Sequence, residues 1–292
     1  GMSYGALGPA AITALNKGAA IAGALQSTGE GSISSYHKNG ADLIWQIGTG
    51  YFGARDDLGN FSKEKMLETL NSSPSVIAIE IKLSQGAKAG LGGILPAAKI
   101  TKEISEIRGI PMGVDCHSPS RHSAFSNSDE LLDFVEEISA STGLPVGIKS
   151  AVGDLSLFKD LASKMSNDKN RAVDFITIDG GEGGTGAGPL TFTDHVSLPF
   201  MIGFPRIFEI FDEHNLTNNI TFIGSGRLGL PERAVMAYAL GVDMINVARE
   251  SMLSIGCIQS QRCHTGTCPT GVATSNHWLN RGLDIERNSI RC

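Results

Sequence analysis

Short apolar runs alternate along the chain with segments whose apolar residues recur at helical spacing. Runs such as Val-Ile-Ala-Ile-Glu-Ile are almost continuously apolar, which is typical of strands buried on both faces of a parallel sheet. The pattern predicts eight strands, at residues 2–6, 22–27, 43–48, 76–83, 145–150, 175–180, 220–224 and 244–248. It predicts helices at residues 9–22, 63–71, 128–141, 156–165, 205–214 and 231–240.

Eight strands with crossover helices predict an α/β fold, a (β/α)8 TIM barrel that occupies residues 1–292 as a single domain. Pro9 and Pro231 stand at predicted first helical positions, where proline is favoured, and Ser128 precedes two acids as an N-cap would. The alternative is an open doubly wound sheet. The barrel is favoured because no Gly-x-Gly-x-x-Gly follows the first predicted strand.

Composition narrows the range of functions. A net charge of -6 argues against nucleic-acid or membrane-surface binding, because such a chain would not neutralise phosphates in bulk. We expect no membrane segment and no signal peptide, since no apolar run approaches the roughly 18–20 residues that span a bilayer. Five cysteines, of which three are clustered, favour a reducing cytoplasm over a secreted disulfide framework.

Glycine is enriched, at 36 of 292 residues, and gathers at the ends of the apolar runs. In a barrel the active site is built from the loops that follow the strands, so these positions are the candidate site. A long Gly-rich loop with Lys82, Gln85 and Lys88 follows the fourth predicted strand. Lys149 lies at the end of the fifth predicted strand. Asp179 lies at the end of the sixth, and a Gly-rich segment follows it.

The loops after the seventh and eighth strands predict a phosphate-bearing cofactor, because barrels commonly bind a phosphate there through backbone N–H groups. We expect the phosphate near Gly226, Arg227, Ala248 and Arg249; the alternative is that Gly-Ser-Gly is only a turn. A lysine that points into the mouth of a barrel needs an anion beside its ammonium, because burying an unpaired positive charge is costly. Reduced flavin carries negative charge near N1 and the C2 carbonyl, which makes Lys149 a candidate to face it.

The segment at residues 256–274 carries Cys257, Cys263 and Cys268 at spacing C-x5-C-x4-C. Zinc sites usually space their ligands by two to four residues, whereas these longer, uneven spacings favour cluster iron. Three structural cysteines that happen to fall together are the alternative. The position after the eighth strand favours an iron–sulfur cluster, since single electrons could pass there to a flavin.

Five motifs, in order, resemble the FMN-binding synthase domain of glutamate synthase: residues 2–7, 27–31, 85–88, 179–187 and 263–274. The resemblance implies a TIM-type barrel that binds FMN and a 3Fe–4S cluster, with Cys257, Cys263 and Cys268 as cluster ligands. It also implies reductive conversion of 2-oxoglutarate and ammonia to glutamate through 2-iminoglutarate.

The resemblance also implies residue roles. The flavin is expected against the backbone of Met2 and Ser3, with Lys149 at its pyrimidine edge. The resemblance also implies which residues surround the flavin ring and the phosphate. They are Asp179, Gly180, Gly181, Gly183, Gly184, Gly224, Ser225, Gly226, Arg227, Ala248 and Arg249. The 2-oxoglutarate contacts map onto Glu30, Lys82, Gln85, Lys88 and Arg108. These residue types suit the implied reaction. A dicarboxylate needs cationic side chains to bind it, and an imine that is being reduced needs a proton donor.

The sequence contains no glutaminase domain, so we expect ammonia from solvent or from a separate glutaminase subunit. Electrons are expected from ferredoxin or an NAD(P)H-oxidising subunit. The alternatives are a non-catalytic or truncated electron-transfer subunit, or an FMN barrel for another keto acid and amine, such as an N-substituted glutamate synthase. An isomerase or 2-hydroxy-acid oxidase is disfavoured because neither needs a one-electron relay.

Four further residues are expected to have supporting roles. Cys116 is predicted to be a small buried residue, and His117 and His122 to be structural. His264 is predicted to tune the cluster rather than to bind it.

Overall fold

The computed structural model describes residues 1–184 and 188–292. Thr185, Gly186 and Ala187, at the end of the motif at 179–187, lie outside the described residues. The chain forms two compact units. The first comprises Gly1–Ile79, Gly93–Pro119 and Ala248–Cys292, and the second comprises Glu80–Gly92 and Ser120–Val247. The single domain stays a prediction.

Strands and helices alternate through both units. Within the described ranges the strands are β1 (Gln26–Ser27), β2 (Leu43–Ile47), β3 (Val76–Lys82), β4 (Ile94–Leu95), β5 (Cys116–His117), β6 (Val146–Ser150), β7 (Phe175–Asp179), β8 (Thr221–Ser225) and β9 (Met244–Asn246). The α-helices there are α1 (Pro9–Ala22), α2 (Lys63–Asn71), α3 (Lys102–Arg108), α4 (Ser128–Thr142), α5 (Ser156–Asn167), α6 (Leu190–His195), α7 (Phe200–Glu213), α8 (Pro231–Ala239), α9 (Arg249–Ser254), α10 (His277–Asn280) and α11 (Ile285–Arg291).

The main sheet has the strand order β1-β2-β3-β6-β7-β8-β9. In the first unit β1 pairs parallel with β2, and in the second unit β6, β7, β8 and β9 pair parallel in sequence. All five residues of β6 and of β7 are buried, as expected for strands covered on both faces of a parallel sheet. Parallel strands in sequential order, with helices between them, confirm the predicted α/β class and follow the strand order of a (β/α) barrel.

The predicted strand at residues 2–6 is wrong. Tyr4 forms only an isolated bridge with Leu7, because the chain turns between them. Gly5 adopts φ 98°, and its N–H donates to the Leu7 carbonyl at 3.0 Å, while the Leu7 N–H donates back to the Ser3 carbonyl at 3.0 Å. A left-handed glycine takes the backbone out of the extended conformation that a strand requires.

Helix α7 begins five residues earlier than predicted, so Pro205 lies inside it and not at its first position. Pro199 is the N-cap of the helix, and its carbonyl accepts the N–H groups of Ile202 and Gly203. Pro205 therefore removes one hydrogen bond from the helix without ending it. A pair missed by the sequence pattern is antiparallel β4–β5, which joins Ile94 to His117.

Each unit has its own apolar core. In the first, α1 packs against α11, and the core extends from Tyr4 and Leu7 to Cys268 and Val272. The second contains a cluster of phenylalanine rings from α7 and β8, at positions 200, 204, 208, 211 and 222. In residues 1–184 and 188–292 no helix is long and apolar enough to cross a bilayer.

His37 holds the N-terminal segment of the first unit. The Ser34 N–H donates to Nδ1 of His37 at 3.2 Å, so the proton of the neutral ring lies on Nε2, which donates to the Met2 carbonyl at 3.4 Å. Burial lowers the pKa of His37 to about 4. The ring is therefore neutral in the folded protein at pH 7.

The burial of His37 predicts that the free energy of unfolding falls at acidic pH. The pKa of His37 in the unfolded chain is near 6.5, so the unfolded state binds the proton first, and stability falls as the pH drops from about 6.5 towards 4. Between pH 7 and pH 5 the His37 contribution to the free energy of unfolding should fall by about 2 kcal/mol. Urea denaturation at both pH values measures it. His37→Gln should abolish this part of the loss of unfolding free energy. The control His277→Gln, at an exposed histidine, should not. If wild type and His37→Gln lose the same free energy between pH 7 and pH 5, the prediction is wrong.

Candidate functional site

In the second unit, Lys149 and Asp179 pair at the ends of the neighbouring strands β6 and β7. The Lys149 Nζ lies 3.5 Å from Asp179 Oδ2, and the two residues are 6% and 1% exposed. Burial alone raises the pKa of Asp179, but the Lys149 ammonium, the Gly86 N–H and the Ser225 hydroxyl outweigh it and hold that pKa below its usual value. The carboxylate therefore neutralises a buried lysine.

Asp179 has a second, unsatisfied oxygen. Its Oδ2 accepts the Gly86 N–H at 3.0 Å, whereas Oδ1 is buried and has no hydrogen-bond partner among the described residues. A buried carboxylate oxygen without a donor costs free energy, so it is a position where a ligand N–H or O–H would bind favourably.

The Gly-rich loop after β3 packs on the loop after β7 within this unit. The Lys82 ammonium donates to Gln85 Oε1 at 2.6 Å, and Gln85 opens a 3-10 turn, Gly86–Lys88. The Ala87 N–H donates to the Gly183 carbonyl at 2.8 Å, which fixes one loop on the other. The structure thus brings the predicted Gln85–Lys88 turn and the Gly180–Gly183 segment together.

Gly86 permits this close approach. A Cβ at position 86 would overlap the Gly180 carbonyl oxygen, and the Ser197 hydroxyl donates to the Gly86 carbonyl at 2.7 Å. Glycine is required here for lack of space and not for an unusual φ angle.

The loop after β8 contains backbone donors without an acceptor. Gly226 and Arg227 adopt φ 143° and φ 55°, and α8 begins a few residues later. In the part of the chain that the structure describes, the N–H groups of Gly226, Arg227 and Leu228 donate to no acceptor. Consecutive free N–H groups of this kind are suited to a phosphate.

The first unit brings Glu30 and Arg108 together. Arg108 ends α3, is 5% exposed, and donates from Nη2 to the Tyr4 carbonyl at 2.9 Å. Burial lowers the pKa of Arg108, and the negative charges of Cys116 and Glu30 oppose that shift. The Glu30 carboxylate lies against Gly48, where a Cβ would stand 2.6 Å from Oε2.

Arg55 is a residue that the sequence reasoning missed. The Cζ atoms of Arg55 and Arg108 lie 5.6 Å and 5.2 Å from the centroid of the Phe52 ring, and the Nε of each is buried without a partner in the described residues. Arg55 belongs to the loop after β2, and the rule that places active residues after strands could have found it. Two guanidinium groups beside one ring make this part of the first unit attractive to an anion.

Supporting roles are predicted for Cys116 and for three histidines. Cys116 is half-buried and hydrogen-bonds to Arg108, and burial raises the pKa of its thiol. His122, in the second unit, is buried and its Nε2 lies 2.8 Å from the Lys82 carbonyl, which suits the predicted structural role. His117 and His264 are exposed.

The remaining predicted cofactor contacts of the first unit are backbone positions. The Met2 N–H donates to the Ser27 carbonyl at 3.4 Å, and the Ser3 carbonyl accepts the Leu7 N–H. Ala248 is the N-cap of α9 and Arg249 its first residue. Their roles stay predictions.

The three cysteines at residues 256–274 all contact the apolar core of the first unit. Burial and the negative charges of Cys257 and Cys268 raise the pKa of Cys263, so the three thiols lie within electrostatic reach of one another. Burial also raises the pKa of Cys268, but hydrogen bonds from the Ala273 N–H, the Thr270 hydroxyl and further N–H groups lower it below its usual value.

Among residues 1–184 and 188–292, no three His, Cys, Asp or Glu side chains are grouped to hold one metal ion. The ligand role of Cys257, Cys263 and Cys268 therefore stays a prediction.

Comparison with known proteins identifies the family. Residues 1–291 match the conserved region in glutamate synthase. The chain belongs to the glutamate synthase family. It is 42% identical over 292 residues to the glutamate synthase large subunit-like protein YerD of Bacillus subtilis (strain 168), covering 99% of this chain and 55% of YerD.

A second family relative is archaeal glutamate synthase (NADPH) of Methanocaldococcus jannaschii, which is 34% identical over 99% of this chain and 54% of its own length. The chain thus spans about half the length of the curated relatives that it matches. Among solved structures, a flavocytochrome b2 mutant with benzoylformate matches with a TM-score of 0.50 at 13% identity, over 96% of this chain and 59% of that one. This last similarity concerns the fold alone.

The packing of Gly86 yields a prediction. Gly86→Ala should lower the free energy of unfolding by about 2 to 3 kcal/mol, because the new methyl group forces the two loops apart. Gly153→Ala is the matched control, since a Cβ at position 153 has no atom within 4 Å. Urea unfolding measures both variants. If Gly86→Ala is as stable as Gly153→Ala, the close contact of the two loops is not as described.

Proposed function

We propose that this chain is an FMN-dependent oxidoreductase that reductively aminates 2-oxoglutarate to glutamate through 2-iminoglutarate. The observation that carries the proposal is the buried Lys149–Asp179 pair at the ends of adjacent parallel strands, in a chain of the glutamate synthase family. The reaction joins ammonia to the keto carbon, releases water, and adds two electrons and two protons.

Three features of the second unit support FMN binding. Lys149 offers a buried positive charge, Asp179 Oδ1 an acceptor without a donor, and the loop after β8 free N–H groups for the phosphate. When bound, FMN would supply hydride transfer. The residues proposed to hold it are Met2, Ser3, Lys149, Asp179, Gly180, Gly181, Gly183, Gly184, Gly224, Ser225, Gly226, Arg227, Ala248 and Arg249.

The substrate is proposed to bind through cationic anchors. Lys82 and Lys88, with Gln85, are the candidates in the second unit, and Arg108 is the candidate in the first. Arg108 keeps one buried N–H without a partner, and a guanidinium can hold a carboxylate through two parallel hydrogen bonds. Glu30 is proposed to hold the proton that the imine nitrogen receives during reduction.

The cysteines Cys257, Cys263 and Cys268 are proposed to hold a 3Fe–4S cluster, which would supply single electrons. We propose ferredoxin or an NAD(P)H-oxidising subunit as the electron donor. Ammonia is proposed to come from solvent or from a separate glutaminase subunit. The five free cysteines favour the reducing cytoplasm as the place of action.

A second candidate function is reduction with another keto acid and amine. The observation that favours it is Arg55, which adds a second guanidinium beside Arg108 and Phe52. An additional cation would suit a substrate with more negative charge or a carboxylated amine, as an N-substituted glutamate synthase would require.

Arg108→Lys tests the substrate assignment. The protein is reconstituted anaerobically with FMN, and reoxidation of the reduced flavin is followed with a panel of keto acids with and without ammonium. Wild type should prefer 2-oxoglutarate with ammonium, and Arg108→Lys should raise its KM about tenfold to a hundredfold with a smaller change in kcat, because lysine cannot form the paired hydrogen bonds.

Arg171→Lys is the matched control for that change, since Arg171 pairs with Asp129 and Asp133 near the surface of α4. It should keep the wild-type KM. Equal reoxidation by another keto acid would overturn the assignment of 2-oxoglutarate and favour the second candidate.

Cys263→Ser tests the cluster. The variant should lose the iron–sulfur absorbance and the bound iron after anaerobic reconstitution, while the flavin content stays at the wild-type level, because the FMN contacts lie in other segments. Cys292→Ser, at the exposed C-terminal cysteine, is the control and should retain the iron. A Cys263→Ser protein with wild-type iron content contradicts the ligand assignment.

A further inference from the structure

Lys99 is a lysine buried to 1% exposure in the first unit, in the short turn that follows β4. Lysine is almost never fully buried unless its ammonium is compensated, because removing the charge from water is costly. In the part of the protein that the structure describes, no carboxylate forms an ion pair with Lys99. Its ammonium therefore depends on other partners.

Those partners are two backbone carbonyls from distant segments. The Lys99 Nζ donates to the Ala6 carbonyl at 2.8 Å and to the Cys263 carbonyl at 2.8 Å. Ala6 belongs to the N-terminal turn and Cys263 to the cysteine loop, so one ammonium ties both segments to the turn after β4. Hydrogen bonds from a charged donor are stronger than those between neutral groups.

The cysteine loop encloses Lys99 further. The Ser275 hydroxyl donates to the Lys99 carbonyl at 3.3 Å, and Gly266 lies close enough that a Cβ there would stand 3.5 Å from Lys99 Cγ. Because the ammonium donates to the Cys263 carbonyl, the positive charge lies at the backbone of one of the three proposed cluster ligands.

We propose that Lys99 is a positioning residue for the iron–sulfur centre, which fixes the cysteine loop through the Cys263 carbonyl and offsets the negative charge of the thiolates. The inference rests on the proposed function, because it requires the cluster that Cys257, Cys263 and Cys268 would hold. The potential of such a cluster depends on nearby charge and on hydrogen bonds around the sulfurs. A buried cation should make reduction of the cluster more favourable.

The first test uses the cluster-free protein, so its readout does not need activity. Trypsin cleaves after Arg262, an exposed residue directly before Cys263. Lys99→Met removes both hydrogen bonds and should accelerate this cleavage at least about tenfold, because the loop opens more often. Lys38→Met is the matched control, since its ammonium also donates to a carbonyl, that of Ser72, at 2.7 Å. Its cleavage rate should equal that of wild type.

The second test separates the charge from the hydrogen bonds. Lys99→Gln keeps a donor without the charge, and Lys99→Arg keeps the charge. In reconstituted protein, a redox titration monitored by electron paramagnetic resonance should give a more negative cluster potential for Lys99→Gln and Lys99→Met than for wild type. Lys99→Arg should stay close to wild type, whereas a purely structural lysine would leave the potential unmoved in every variant that binds iron.

The outcomes distinguish this inference from the proposed function. Wild-type protein that takes up no iron and sulfide would overturn the cluster and the role of Lys99 together. Wild-type protein with a cluster, and Lys99→Gln with the same potential and the same cleavage rate after Arg262, would overturn the role of Lys99 alone. If Lys99→Met does not fold, the Lys99→Gln and Lys99→Arg pair decides.

Discussion

The cost of burying a positive charge is the constraint that organises this protein's candidate site. Lys149, Arg108 and Lys99 are each at most 6% exposed, and each must be compensated because a buried, unpaired cation would destabilise the fold by several kcal/mol. Lys149 is paired with the Asp179 carboxylate, whereas Arg108 and Lys99 rely on backbone carbonyls and nearby anionic side chains. Such positions are where an anionic ligand is bound at the least additional cost.

Glycine makes these arrangements sterically possible. Gly86 lets the loop after β3 pack on the loop after β7, and its N–H then reaches Asp179. The free N–H groups at Gly226, Arg227 and Leu228 depend on a backbone that turns sharply after β8. The high glycine content is therefore linked to the electrostatics, because the same close approaches that exclude side chains bring donors to buried anions.

The regular part of the fold was predictable from the sequence, and the long-range partners were not. The apolar runs at β6 and β7 predict buried parallel strands because their periodicity is local information. The predicted strand at residues 2–6 does not form because Gly5 adopts a left-handed conformation, which outweighs the apolar pattern. Lys99 could not be found from the sequence because its partner, the Cys263 carbonyl, stands 164 positions away along the chain. Arg55 lies beside Phe52 in the loop after β2, so its position after a strand was a signal that the sequence did contain.

Isotope incorporation in a single turnover is a direct test of the proposed reductive amination. The reconstituted protein is reduced stoichiometrically under anaerobic conditions and mixed with 2-oxoglutarate and 15N-ammonium, and glutamate is quantified by mass spectrometry. Reductive amination should give about one 15N-glutamate for each reduced FMN that is reoxidised. Reoxidation of the flavin without labelled glutamate would contradict it.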